Sequence, residues 1–450
     1  MSTTQPAPTA CARSAGTALA CASAAALIAA PPPVQALDLD NEGGLITETV
    51  ASRERLKDYD NIKRYGAERV SDRDRSHAEP EGIRAGNYIV LPSLEDNLVW
   101  DDNLFRSDAN RVSDFRNELT PEIKLQSHLP RHVLDLSLAG KIVSHFENTD
   151  QDYANLRGTL ASALHFDHAH TLSFAALSAL EHEERGELLT PLTAAEPVEL
   201  LHNRASLGLT RDVGRLYGTL SGTFERWDYS DAKSLDGTLL DLDPRDTDQW
   251  VAQIKLGYRF SPGYELIGKV RGLRELNRGD DMVDRDAVGY EALAGVAFET
   301  NPLLRWRILG GYGVRDFDQS DLDTVGSALV EGQMQWLPTE SITVYATLSH
   351  EIVTAHGLED NGRTETTFLG KVEYELYHNL VLTADLEIKD ADFFGVDRQD
   401  QLYAGRIGLE YFPNKLLSLS LAYEHAIRES TEDALDMTRN RVWVGAKLRY

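Results

Sequence analysis

Three groups of side chains in this 450-residue sequence have the types and spacing for chemistry. Ser349 and His350 set a nucleophile beside a base. Neighbours on a strand point to opposite faces, so the activating hydrogen bond is out of their reach. No other Ser and His stand out, and the chain reads as a non-enzyme. His165, His168 and His170 gather around Asp167 with a spacing that suits a metal. The plainer reading is a polar turn with incidental imidazoles. Asp228, Asp231, Asp236, Asp241, Asp243, Asp246 and Asp248 offer oxygen ligands enough for Ca²⁺ but lack the spacing of any calcium loop, so they read as a solvated acidic loop. Arg278-Gly279-Asp280 matches an adhesion tripeptide with no other support. No cofactor or metal is expected.

A larger set of charges recurs at every second position: Lys255 and Arg259; Lys269 and Arg271; Arg305, Arg307 and Arg315; Lys371, Glu373 and Glu375; Asp385, Glu387 and Lys389; and Glu424. The alternate positions are apolar. Leu417, Leu419, Leu421 and Tyr423 oppose Ser418, Ser420, Ala422 and Glu424, and Val442, Val444, Ala446, Leu448 and Tyr450 oppose Trp443, Gly445, Lys447 and Arg449. Period two means strands with one apolar and one polar face. The runs last about 13 to 15 residues, against a mode of about 5 to 6 in soluble sheets and about 9 to 11 needed to cross a bilayer at a tilt.

Turn chemistry divides these strands. Short connections fall at Leu129-Pro130-Arg131, Asp167-His168-Ala169, Asp212-Val213-Gly214, Ser261-Pro262-Gly263, Thr300-Asn301-Pro302, Pro338-Thr339-Glu340, His378-Asn379 and Pro413-Asn414-Lys415. Longer polar stretches alternate with them, near 102–114, 147–151, 184–196, 230–247, 277–285, 318–323, 355–363, 395–399 and 429–437. The fold expected is all-β: a transmembrane antiparallel up-and-down β-barrel of about 18 strands, with both ends of the chain on the short-turn, periplasmic side. A propeller fits the spacing of the turns but needs four strands per blade where the chain offers two. Aromatic residues mark two girdles: Phe260, Tyr264, Trp306, Trp336, Tyr411, Phe412 and Tyr450 near the short turns, and Phe146, Trp227, Tyr229 and Phe317 near the long loops. An Arg or Lys on the lipid face would cost about 2 to 4 kcal/mol at the midplane. The periodic charges are therefore expected to line the lumen, which at this strand number is wide enough for water.

Composition agrees. The formal charge of −27 argues against a nucleic-acid partner, and no mature stretch reaches the roughly 18 apolar residues of a membrane helix. Residues 1–36 read as a signal peptide, with an Ala-rich run after Arg13 and a Val34-Gln35-Ala36 cleavage site. Both cysteines, Cys11 and Cys21, lie within it, which leaves the mature chain without thiol chemistry. Residues 37–86 are too polar to build a core and read as a periplasmic segment, a tail or a plug of the barrel mouth. Residues 87–450 are the barrel.

The stretch Gly82-Ile83-Arg84-Ala85-Gly86, then Pro92-Ser93-Leu94-Glu95 and Trp100-Asp101-Asp102-Asn103-Leu104-Phe105, resembles the first strand of the putative β-barrel porin 2 family. Asn87-Tyr88 and Trp100 depart mildly from its pattern. The resemblance implies a Gram-negative outer-membrane barrel, often tied to exopolysaccharide export. Gly445, Leu448 and Tyr450 are similar to a barrel-insertion signal, although Trp443 stands where a polar residue is usual. The partners implied are outer-membrane lipids and lipopolysaccharide, the outer-membrane assembly machinery and polysaccharide-export proteins. The function expected is a porin-like conduit for exopolysaccharide. The alternatives are a general small-solute porin, or a structural or adhesive barrel acting through its acidic loops.

Overall fold

The computed structural model describes residues 69–450 except 74, 76, 77, 110, 128, 130, 188, 192, 280–284, 302, 320, 321 and 354–360. The expected signal peptide, both cysteines, the segment up to residue 68, Asp280 and most of the loop after Val353 lie outside the described residues.

Eighteen long strands form the wall. They are β1 (Tyr88–Asp101), β2 (Asp114–Ser127), β3 (His132–His145), β4 (Tyr153–His165), β5 (His170–Glu183), β6 (Val198–Val213), β7 (Leu216–Tyr229), β8 (Thr247–Ser261) and β9 (Tyr264–Asn277). There follow β10 (Ala287–Asn301), β11 (Leu304–Phe317), β12 (Val325–Thr339), β13 (Ile342–Val353), β14 (Arg363–Tyr377), β15 (Leu380–Phe393), β16 (Gln399–Asn414), β17 (Leu417–Ser430) and β18 (Met437–Arg449). Each pairs antiparallel with its sequence neighbour, and β18 returns to β1 from Ser93↔Arg449 to Asp101↔Arg441, closing the barrel. Closure leaves no sheet edge, which the bilayer demands because no water is there to satisfy backbone groups. Eight short connections alternate with nine longer ones as turn chemistry predicts, but three of the reversals come later than expected, at Gly214-Arg215, Glu340-Ser341 and Lys415-Leu416, with Asp212-Val213, Pro338-Thr339 and Pro413-Asn414 still in strand.

Alternation assigns the faces. Leu256 and Tyr258 are 61% and 39% exposed while Lys255 between strand neighbours is 6% exposed. Tyr290, Tyr312, Ile407, Leu421 and Leu448 likewise stand outward, giving the wall its apolar coat. Two aromatics break the girdle pattern. Phe412 faces inward and packs with Val70, Ala78 and Val381, and Tyr229 is buried with Val198, Leu200 and Leu242 beneath an outer loop. Near the strand ends a ring that finds a packed partner inside gains more than one left at the interface.

The described residues just before the barrel lie against its inner wall at the short-turn end. Val70 donates its N–H to Thr343 Oγ1 at 2.9 Å, Arg73 pairs with Glu375 at 2.8 Å, and Arg75 returns to the Val70 carbonyl at 2.7 Å. Val70 and Ala78 are 1% and 2% exposed. A short strand, Ile83–Ala85, then folds back on β1 through Gly86, whose φ of +64° meets the positive φ that a two-residue hairpin loop requires.

Candidate functional site

The site is the lumen, and its outer half is organised by one loop. The connection after β5 turns inward. Its first residue, Glu184, accepts Arg116 Nη1 of β2 at 2.8 Å, Arg106 Nη2 of the first outer loop at 2.7 Å and the Tyr153 hydroxyl of β4 at 2.9 Å, with Arg439 of β18 at 3.5 Å. Arg116 also meets Glu118 at 2.9 Å, which in turn meets Lys141 of β3 at 3.2 Å. Arg106 adopts a left-handed φ of +51°, rare for a residue with a side chain, and so reaches both Glu184 and Glu187. At the loop's tip Gly186 has φ +76°, and a Cβ there would stand 2.4 Å from the Phe105 carbonyl oxygen. Only glycine lets the tip pack this closely. Arg428 of β17 donates to the Gly186 carbonyl at 3.0 Å, so the loop is also tied to β17, on the far side of the β18–β1 seam.

Burial of Glu184 opposes its ionisation, but the guanidiniums of Arg116, Arg106 and Arg439 outweigh it and hold the carboxyl well below the usual range. Breaking such a buried set by removing one member costs about 3 to 5 kcal/mol. The loop is therefore held against the inner wall at neutral pH.

Beside the loop tip lies a cavity of about 260 Å³ between β15, β16, β17 and β18. Arg106, Lys389, Arg428, Arg439 and Arg441 line it together with Glu187, Glu387, Asp400 and Glu424, and Ala391, Leu402, Ala404, Ala426 and Met437 supply an apolar floor.

The periodic charges of the sequence face this interior. Lys269 and Arg271 of β9 converge on Glu331 of β12, and Arg271 also meets Glu291 at 3.0 Å. Arg315 joins the same group through Glu291 at 2.9 Å, and Arg307 donates to Gln333 at 2.8 Å. On the other wall Lys371 pairs with Glu373, Lys389 with Glu365 at 3.0 Å, and Glu424 with Arg441. Asp385 and Glu387 share the inward parity of Lys389 on β15. Arg259 and Arg305 sit apart at the short-turn rim, on Asp212 at 2.7 Å and Glu299 at 3.1 Å. Glu375 holds Arg73 of the entering chain. The interior thus carries both signs in local pairs.

The family-like motif lies elsewhere, on the closing seam. Asp101 receives Arg439 Nε at 3.0 Å, Asp102 receives the Asn440 N–H and side-chain amide at 2.6 Å each, and Asn103 donates to the Thr438 carbonyl at 2.9 Å. Glu95 meets Lys447 at 3.2 Å, and Phe105 lies under Arg185 at 4.3 Å. Pro92, Ser93 and Leu94 stand on β1 with Leu94 outward, and Gly82, Ile83 and Arg84 belong to the hairpin below. These residues join the first strand to the last. Gly445 gives room to Asn97 Oδ1, 1.9 Å from where a Cβ would stand, while Leu448 and Tyr450 face lipid. Trp443 is inward, flanked by Arg406 at 4.6 Å and Arg441 at 4.8 Å, which explains an aromatic at a lumen position.

The other candidates disperse. His170 and the backbone N–H of Ala169 bond Asp167 and lower its carboxyl to about 2, while His165 bonds Thr171. That is turn chemistry. His350 is bracketed by the hydroxyls of Ser327 at 3.0 Å and Thr366 at 2.7 Å. In the acidic loop, Asp231, Asp241 and Asp243 bring carboxylate oxygens within 4.8 Å of one another, all exposed. Asp228, Asp246 and Asp248 are instead taken by Arg278. Missed in the sequence were Glu184, Arg106, Arg116, Arg428 and Arg439. The parity of β2, β17 and β18 carried a signal for the three strand residues, but none existed for the direction of a loop.

The family described as "Putative beta-barrel porin 2" matches residues 76–450, and the chain belongs to it. It is a porin-like β-barrel of the bacterial outer membrane. No curated protein matches the chain. Among solved structures, the chain is similar to Pseudomonas aeruginosa OpdK with vanillate, at 13% identity over 80% of this chain and 99% of that one, TM-score 0.44. It is also similar to Pseudomonas aeruginosa OccK2 (OpdF) in complex with glucuronate, at 11% over 82% and 100%, TM-score 0.44. Acinetobacter baumannii OccAB4 matches at 13% over 80% and 98%, TM-score 0.42.

Proposed function

We propose that this member of the putative beta-barrel porin 2 family is a narrow channel for small polar solutes. The observation that carries the reading is the loop after β5, folded into the lumen and held at Glu184 by Arg116 and Arg106. The seating of Val70, Arg73 and Ala78 on the inner wall at the short-turn end supports it. The paired charges of the interior favour passage of hydrated solutes of either sign with weak selectivity. The test is reconstitution of the mature chain in planar bilayers and sugar-loaded liposomes. Small stepwise currents with entry of monosaccharides and exclusion of long oligosaccharides are expected, and a silent barrel overturns the reading.

The second reading is export of an exopolysaccharide, which draws on the resemblance of residues 82–105. The loop after β5 is held by polar contacts that a partner or ligand can compete for, so a wider state is physically accessible. Deleting the gene then blocks release of polymer while its synthesis continues; unchanged release sinks this reading.

A further inference from the structure

We propose that the cavity beside Arg428 is a binding site for a small monoanion with a short apolar body, such as an aliphatic carboxylate. The inference rests on the channel reading and names one class of solute that this lumen retains among those it passes.

The other cations of the cavity wall are matched by carboxylates. Arg439 has Asp101, Arg441 has Glu424, Arg106 has Glu187 and Lys389 has Glu365. Arg428 differs. Its Nε and Nη1 are spent on the backbone carbonyls of Leu435 at 2.6 Å and Gly186 at 3.0 Å, which cancel no charge. Among the described residues its Nη2 is buried without a hydrogen-bond partner, and Arg428 is 5% exposed. Asp400, another acid of the lining, is engaged by Arg398 and by the Ser430 hydroxyl.

A buried guanidinium with an idle N–H is costly unless something anionic completes it. Arg428 lines the cavity, no carboxylate stands within ion-pair distance of it among the described residues, and Nη2 still has N–H groups to give, so a carboxylate oxygen is a chemical match. Leu402, Ala404, Ala426 and Met437 set the rest of the ligand's character, because small apolar side chains cannot satisfy a polyol. The carbonyl of Gly186 shares the same guanidinium, so the ligand also sits at the tip of the constricting loop.

The test uses the full mature chain, folded in detergent and in bilayers, with sodium butyrate as probe and n-butylammonium chloride as its cationic counterpart. Calorimetric titration should show saturable binding of butyrate and none of butylammonium, and butyrate should block chloride current with the same concentration dependence. Arg428→Met should weaken binding roughly tenfold or more, the loss of one charge-assisted hydrogen bond. Ala404→Trp, which fills the cavity and leaves Arg428 in place, should abolish it, and heat-modifiable migration shows whether each variant is folded. Equal binding of both probes, or butyrate binding unchanged in the two folded variants, overturns the proposal. A barrel that conducts but ignores butyrate contradicts this site alone; one that binds butyrate but does not conduct contradicts the channel reading.

Discussion

Glu184 Oε1 receives Nη1 of Arg116 at 2.8 Å inside the barrel, which joins the first residue of an outer loop to the wall two strands into the chain. The pair is buried, with side-chain exposures of 13% and 2%. Glu184→Ala leaves Arg116 and Arg106 without their shared carboxylate, at a cost of about 3 to 5 kcal/mol. We expect the loop 184–197 to undock, seen as faster amide hydrogen exchange there with the rest of the wall unchanged. Unaltered exchange would show that the loop is held by something else.

Two loop carboxylates predict opposite responses to acid. Glu184 is held well below its usual range, so its contribution is fully present above the unfolded value of about 4.5 and is lost progressively as pH falls from there through the folded value. The constriction should therefore not change between about pH 5 and 8. Asp246 is pushed up to about 6 by burial and by Asp228 and Asp243, against the Tyr229 N–H and Arg278. A raised carboxyl stabilises the folded loop most below its unfolded value and loses that contribution as pH rises through about 6. Residues 230–246 should resist protease better at pH 5 than at pH 7.5, and Asp246→Asn should remove the difference.

The seam gives a stability test. Arg439 grips Asp101 on β1 while both are almost fully buried, at 3% and 0% exposure. Arg439→Met strands Asp101 and should lower barrel stability by about 3 to 5 kcal/mol, read as a lower temperature for the band shift on a denaturing gel. Asp102→Ala, on a neighbouring but less buried set of bonds, should have a smaller effect.

In the lumen, Glu331 serves both Lys269 and Arg271. Glu331→Gln leaves two cations with one fewer counter-charge, and Arg271 keeps Glu291. The reversal potential in a salt gradient should move toward anion preference, with little change in heat stability.

Much of this was written in the sequence, because strand parity is a local property. Lys269 and Arg271 declared their face by sitting two apart between apolar Val270 and its neighbours, and Pro, Gly and Asn marked each short turn. Loop direction is not local. Glu184 lies one residue past its strand, where alternation has ended, and its three arginine neighbours come from positions 106, 116 and 439. Phe412 and Tyr229 misled for the same reason: aromatic type is legible, but an inward partner such as Val70 is set by the tertiary fold. The motif from Gly82 to Phe105 identified the family, yet its acids serve closure of the barrel.

The central claim is that the loop tethered at Glu184 sets the bore. Single-channel conductance of the mature chain beside its Glu184→Ala variant, both shown folded by heat-modifiable migration, tests it most directly. Small steps are expected for the parent and clearly larger ones for the variant at the same salt. Equal steps in both, at the size of an open eighteen-strand pore, would contradict it.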